Sequence, residues 1–295
     1  MSGKQFFADR YAQLGWKYRE IKLKQSIRIN QTNAKAKDLP QRLARSGVEL
    51  TKVPFLDSGY WVSQAKVSPG ATAEYLLGMY SMQEAAAQIP PTLFTSLSGK
   101  TVLDACAAPG GKTLALADIM ENSGTVIALD VNKQRLTSMA NHLERCHVSN
   151  TVVFAIDARQ TSVLKRKFSR ILLDVPCSGN FASDSEWFLR RTIEDIERNA
   201  KLQREIMSGA LKCLEPDGEI VYSTCSLEPE EDELNIDWAI KNLGLAVLEV
   251  DSFGAKGLTE VFGKKLDPQI EHCKRLWPGE TQGFFVCKLK RARDQ

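Results

Sequence analysis

"DACAAPGGKTLAL" spans residues 104–116. The apolar run "TVLDA" (101–105) ahead of it reads as a strand, and a helix is predicted from Lys112. Between them, Pro109, Gly110 and Gly111 make a tight loop, and two ligand classes compete for it. A phosphate-binding loop needs Gly-x-x-x-x-Gly-Lys-[Ser/Thr]. Gly111, Lys112 and Thr113 fit that pattern, but Cys106 occupies the place of the first glycine, where a side chain crowds the turn. "RILLD" (170–174) would then be the acidic strand of a nucleoside-triphosphate hydrolase that helps to hold magnesium. In the rival reading the loop clamps a nucleoside. Gly110 and Gly111 let the backbone approach a ligand, and the free N–H groups of the helix start face a carboxylate rather than a phosphate.

The flanking sequence sets the fold class. "TVIALDV" (125–131), "TVVFAID" (151–157), "RILLDV" (170–175), "EIVYSTC" (219–225), "LAVLEV" (245–250) and "GFFVCKL" (283–289) read as strands. Helical periodicity fills 132–146, 192–214 and 230–243, with Thr192 and Asp195 forming a capping box and "EPDG" (215–218) a turn. Such alternation predicts an α/β fold with a mostly parallel, Rossmann-like sheet covered on both faces. Upstream, helices are predicted over about 5–24, 39–47 and 68–89, with "SIRIN" (26–30) and "TKVPFLDSGYWVS" (51–63) as β-rich segments. "PP" (90–91) is a natural seam, so residues 1–90 are expected to form a small N-terminal domain and 91–295 the catalytic one.

Ligands of such sheets bind at the carboxyl ends of the strands. Asp130, Asp157 and Asp174 stand at three successive strand tips. Each alone is a plausible cap or turn former. Together, Asp130 suits ribose hydroxyls, Asp157 an adenine amino group, and the loop Cys106, Ala107, Ala108, Pro109, Gly110, Gly111 and Lys112 an amino-acid end. That combination points to S-adenosylmethionine as cofactor. "LLDVPCSGN" (172–180) and "VYSTCSLEPEEDE" (221–233) put Cys177 and Cys225 just past the fourth and fifth strands, which lie side by side in a sheet of this order. Two thiols facing each other suit methylation of a pyrimidine at C5. A thiolate adds at C6, C5 becomes enamine-like, and an acid near N3, for which Asp174 is placed, offsets the charge on the ring. Sequence alone does not order the two thiols.

"DACAAPGGKT", "LLDVPCSGN" and "YSTCSLEPEEDE", in this order and spacing, closely resemble the Sun-type (Fmu, Nol/Nop/Sun) RNA cytosine-C5 methyltransferases. The likeness covers roughly residues 25–290. It implies a methyltransferase sheet preceded by a small α/β RNA-binding domain. It also implies a cofactor pocket lined by Cys106 to Lys112 with Asp130, Asp157 and Asp174, the last facing the base as well. Cys225 is implied as the nucleophile and Cys177 as the residue assisting product release. Lys112 reaches toward base or cofactor, or is an ordinary helix-start lysine. The chain departs from the family at "NFASDSEWF" (180–188), where another glycine and basic residues are usual, and at Gly279-Glu280 after Trp-Pro, where a histidine is common. The short chain and "EYLLGMYSMQEAAAQIPP" (74–91) resemble archaeal-type tRNA enzymes, with rRNA as the alternative substrate.

Charge and composition agree with an RNA partner. Residues 1–53 carry twelve Lys/Arg against four Asp/Glu, a net of +8, while the remainder carries 27 against 32, a net of −5. A basic segment suggests a polyanion contact, with a solvated helix face as the bland alternative. Tyr11, Trp16 and Tyr18 lie among its cations as candidate base-stacking groups, though core packing is the commoner fate of an aromatic, and Lys22, Lys24 and Arg28 as candidate phosphate contacts. Seven scattered cysteines without a Cys-x-x-Cys pair, and three histidines, argue against zinc and against a disulfide scaffold. No membrane span or secretory signal is expected, so a cytoplasmic enzyme with reduced thiols is the expectation.

Overall fold

The computed structural model describes residues 3–33 and 36–292. The contacts group the described residues into two compact units. One comprises Lys24–Ala158 with Phe168–Leu172; the other comprises the described parts of Met1–Leu23, Arg159–Lys167 and Leu173–Gln295. The seam at residues 90–91 falls inside the first unit.

The first unit holds the expected parallel core. Thr101–Asp104 pairs in parallel with Thr125–Leu129 on one side and with the Phe168–Asp174 strand on the other, and Thr125–Leu129 pairs with Thr151–Phe154. Val102, Leu103, Val126, Ala128, Ile171 and Leu172 are fully buried, as strands covered on both faces require. The helices Gly111–Ile119 and Lys133–Arg145 follow the first two core strands, and Leu114, Met139 and Leu143 cluster with Ala107, Ala108 and Ala128. A separate antiparallel sheet in this unit orders Val48–Lys52, Gly59–Ala65, Ser26–Ile29 and Tyr80–Met82.

In the second unit Leu214–Thr224 pairs antiparallel with Phe284–Arg291, which also pairs with Lys274–Leu276 and Leu245–Leu248. The end of the fourth core strand runs beside Leu214–Thr224, the Val175 N–H donating to the Ser223 carbonyl at 3.1 Å. The long helix Ile193–Leu211 opens on the expected capping box between Thr192 and Asp195.

Several local expectations are corrected. The N-terminal helix is Lys4–Gln13 and stops there, with Gly15 at a φ of +87°. The helix expected over 68–89 breaks into one turn at Ala73–Leu76, the strand Tyr80–Met82 and short turns at Ala86–Gln88 and Ile89–Thr92. Gly78 forces that break. Its φ is +67°, and a Cβ there would fall on the Arg145 carbonyl, so no side chain fits. The 192–214 helix ends at Leu211, and the expected 215–218 turn lies within the Leu214–Thr224 strand. The third core strand ends at Phe154, three residues short of Asp157.

Candidate active site

The proposed site residues fall in both units, and each set is described by itself. In the first unit the loop after Thr101–Asp104 turns at Gly110, whose φ of +101° is the N-cap of the Gly111–Ile119 helix. No side chain caps that helix start, so its first-turn N–H groups stay available to an anionic ligand. Asp130 is 6% exposed; its carboxylate accepts the Ala108 N–H at 3.2 Å and the Asn132 N–H at 2.8 Å. Arg135 stands 3.6 Å away. A carboxylate offers about four acceptor sites, so two backbone donors leave room for ligand hydroxyls. Lys112 is the half-buried second residue of the helix, and Asp157 is half-buried beyond its strand. The donor set fits a ligand with an anionic end and a diol.

The phosphate-loop reading fails here on chemistry. It needs the Thr113 hydroxyl for a magnesium ion. Thr113 is fully buried and donates to Asp104 at 2.7 Å. Among the described residues no group of three or more His, Cys, Asp or Glu is placed to hold a metal.

In the second unit the structure brings Cys177, Cys225 and Asp174 into one constellation. The two sulfurs lie 3.2 Å apart, and Asp174 accepts the Ser223 hydroxyl at 2.7 Å, two residues ahead of Cys225. These two thiols and Cys106 are partly exposed, whereas Cys146, Cys213, Cys273 and Cys287 are buried as small hydrophobes. The hydrogen bond to Cys225, then burial, push the Cys177 thiol well above the ordinary thiol range.

A set of buried groups that the sequence did not single out holds this arrangement. Glu231 is fully buried and accepts the Ser178 N–H at 2.9 Å, the Ser178 hydroxyl at 2.5 Å and the Gln203 amide at 3.2 Å. Gln203 also donates to the Pro176 carbonyl at 2.9 Å. Cys177 is thus pinned on both sides. Asn180 donates to the Cys225 carbonyl at 2.8 Å and the Gly283 carbonyl at 3.0 Å. Thr224 donates to Asp232 at 2.6 Å, and the fully buried Arg275 pairs with Asp232 at 3.1 Å and with Glu233. The signal was present as "EPEEDE" (228–233), an acidic run directly after the Cys225 strand. Read as the start of the helix over 230–243, it gave no hint of burial.

The candidate RNA-facing residues are largely spent inside. Tyr11 is fully buried, donates to Glu228 at 2.8 Å and packs with Phe7, Phe181 and Trp187; Trp16 and Tyr18 pack against the same cluster. Arg28 is 3% exposed and pairs with Asp118 at 2.7 Å, so it is no phosphate contact. Lys22 and Lys24 are both exposed, and Lys35 of the same basic segment lies outside the described residues.

Known proteins resemble this chain along most of its length. Residues 92–290 match the family described as 16S rRNA methyltransferase RsmB/F, and residues 3–85 the N-terminal domain of 16S rRNA methyltransferase RsmF. A 28S rRNA (cytosine-C(5))-methyltransferase of Mus musculus is 35% identical over 277 residues, 90% of this chain but 35% of that protein. A tRNA (cytosine(49)-C(5))-methyltransferase of Pyrococcus abyssi is 30% identical over 301 residues, 97% of this chain and 95% of that one. The chain spans about a third of the length of the mammalian relatives it matches. A crystal structure of a methyltransferase homolog protein from Pyrococcus horikoshii superposes with a TM-score of 0.88 at 35% identity, covering 98% of this chain and 95% of that chain. No helix is long and apolar enough to cross a membrane among the described residues.

Proposed function

The chain belongs to the 16S rRNA methyltransferase RsmB/F family, and from that premise we propose that it methylates cytosine at C5 in RNA, with tRNA as its substrate. The observation that carries the reaction is the 3.2 Å approach of the Cys177 and Cys225 sulfurs beside Asp174. S-adenosylmethionine, when bound, supplies an electrophilic methyl group. Cys106 to Lys112, Asp130 and Asp157 are the residues proposed to hold it, the uncapped helix start taking its carboxylate and Asp130 its ribose hydroxyls.

The protein's own groups then have separate tasks. Cys225 adds through its sulfur to C6, which makes C5 nucleophilic. Asp174, whose carboxylate Ser223 orients, meets the N3 side of the ring and offsets the charge that develops there. After C5 is methylated, loss of the C5 proton breaks the Cys225–C6 bond and restores the aromatic ring. Cys177 assists this release, the role that the family likeness implies. The order of the two thiols rests on the family likeness.

The tRNA reading is favoured by the Pyrococcus abyssi relative, which matches along nearly its whole length. The rRNA reading is favoured by the family's description and the 28S relative. Incubation with unmodified tRNA and rRNA transcripts, followed by bisulfite sequencing, decides between them. Cys225→Ala is expected to abolish 5-methylcytosine, and Cys177→Ala to accumulate a covalent protein–RNA adduct. An adduct formed by Cys225→Ala but not by Cys177→Ala would reverse the roles.

A further inference from the structure

The second unit carries a groove of about 360 Å³ that the reaction does not use, lined chiefly by Arg159, Lys201, Arg204, Ser208, Lys212 and Trp238. Lys201, Arg204 and Lys212 come from one helix and its C-cap, and the fold brings Arg159 beside them. One of them, Arg159, is matched by the groove's single acid, Glu205, at 3.2 Å. Among the described residues, Lys201, Arg204 and Lys212 have no carboxylate partner. The Lys167 ammonium adds a further cation by bonding to the Lys212 carbonyl.

Arg204 is the informative member. Its Nε donates to the neutral Asn235 amide oxygen at 2.7 Å, and its guanidinium lies 5.4 Å from the Trp238 ring centroid. Partial burial lowers its pKa, because water has been removed and no anion has replaced it. A guanidinium presented this way retains its capacity for a bidentate oxyanion. Trp238, partly exposed, borders the same groove and offers a π-face to a base. Phosphodiester beside a stacked base is the chemistry these groups match.

We propose that this groove binds the RNA strand of the substrate at a second point, away from the reacting base. The partner rests on the reading of the protein as an RNA methyltransferase. At about 100° per residue, Lys201, Ser208 and Lys212 point away from Gln203, which holds the Cys177 turn, and Arg204 lies on the flank between them. RNA in the groove therefore contacts a different face of that helix, held by charge and stacking and not by its base edges.

Lys201 and Lys212 are exposed, so the double variant K201Q/K212Q removes charge without disturbing packing, and its thermal midpoint serves as the fold control. Arg204 is left alone because its Asn235 bond connects to Gln203. Binding of an unmodified tRNA transcript is measured by filter retention from about 0.05 to 0.3 M salt. The double variant is expected to weaken binding about tenfold and to flatten the plot of log affinity against log salt by about two. Trp238→Ala is expected to weaken binding with no change in that slope. Wild-type affinity and slope in the double variant would overturn the proposal and leave the cations for an acidic protein partner. The two readings fail separately. RNA that binds the wild-type protein but is never methylated sinks the reaction, whereas methylated RNA with an unchanged variant slope sinks the groove alone.

Discussion

Glu231→Ala tests the idea that buried carboxylate chemistry, rather than backbone stiffness, holds the Cys177 turn. The substitution removes three hydrogen bonds to one carboxylate, from the Ser178 N–H, the Ser178 hydroxyl and the Gln203 amide. A hydrogen bond to a charged group contributes about 1.5–3 kcal/mol. Against that stands the cost of keeping the acid buried, which already pushes its pKa above the ordinary carboxylate range. Part of the gross stabilisation is therefore offset, and a net loss of about 3 kcal/mol is expected, a fall in thermal midpoint of about 6–12 °C. Glu231→Gln keeps the shape but turns one acceptor into a donor facing donors, and is expected to cost about half as much.

The functional consequence separates this from a general loss of stability. Cys177 sits between Pro176 and Ser178, the two residues tied down through Gln203 and Glu231. Cys225 follows its own strand, paired from Glu219 to Thr224 with Phe284–Arg291. Loosening the first turn is expected to leave addition by Cys225, the proposed nucleophile, intact and to slow release. Glu231→Ala, assayed below its melting temperature with ordinary cytosine RNA and S-adenosylmethionine, is expected to accumulate the same covalent adduct on a denaturing gel as Cys177→Ala. A variant that melts with the wild-type protein and turns over without adduct would refute the reasoning.

Gly110→Ala places a Cβ 2.9 Å from Met139 Cγ at a φ of +101°; strain of about 1–2 kcal/mol in the loop is expected to weaken S-adenosylmethionine binding about tenfold by calorimetry. Thr192→Ala removes the capping box of the Ile193–Leu211 helix and is expected to cost about 1 kcal/mol in urea denaturation, with methylation unaffected. Burial, despite Arg10, raises the Glu228 carboxyl from its ordinary 4.5 to about 7. The native state then holds a proton the unfolded chain has lost. The contribution is fully present below pH 4.5 and is lost as pH rises through 7, about 3 kcal/mol in all. Glu228→Gln is expected to flatten that fall between pH 5 and 7.5, and an unchanged slope would contradict the burial argument.

Where sequence reading succeeded, the controlling interactions were local. Apolar runs between helical repeats marked the core strands, and Thr192 with Asp195 marked a helix start, because period and capping act over a few residues. The thiol pair was legible because each cysteine follows a strand tip and neighbouring strands put their tips together. The reading failed where a distant partner decided the outcome. Tyr80–Met82 is a strand because Ser26–Ile29 is there to receive it, some fifty residues earlier. Pro216, Asp217 and Gly218 signal a turn, but they lie within a strand whose cross-strand pairs with Phe284–Arg291, among the described residues, run from Glu219 to Thr224. Glu231 was unreadable for a related reason. Nothing in an acidic run says that its members face Ser178, Gln203 and Arg275 instead of water.

That last point changes what net charge means for the RNA partner. The −5 of residues 54–295 reads from sequence as an acidic body that follows a basic segment. Yet Glu228, Glu231, Asp232 and Glu233 are fully buried, and Asp118 and Asp130 nearly so. Their fields are met within each unit by Arg10, Arg275 and Arg28 or by hydrogen-bond donors. The same pairings consume cations of the basic arm, where Arg10 and Arg28 are bound to carboxylates and Arg42 to Glu74. Paired charges inside a protein contribute little to the potential an approaching polyanion meets, whereas unpaired surface cations contribute in full. The arm is therefore less basic at its surface than its composition states, and the rest of the chain less acidic. An RNA strand samples the second quantity, and Lys201, Arg204 and Lys212 belong to it.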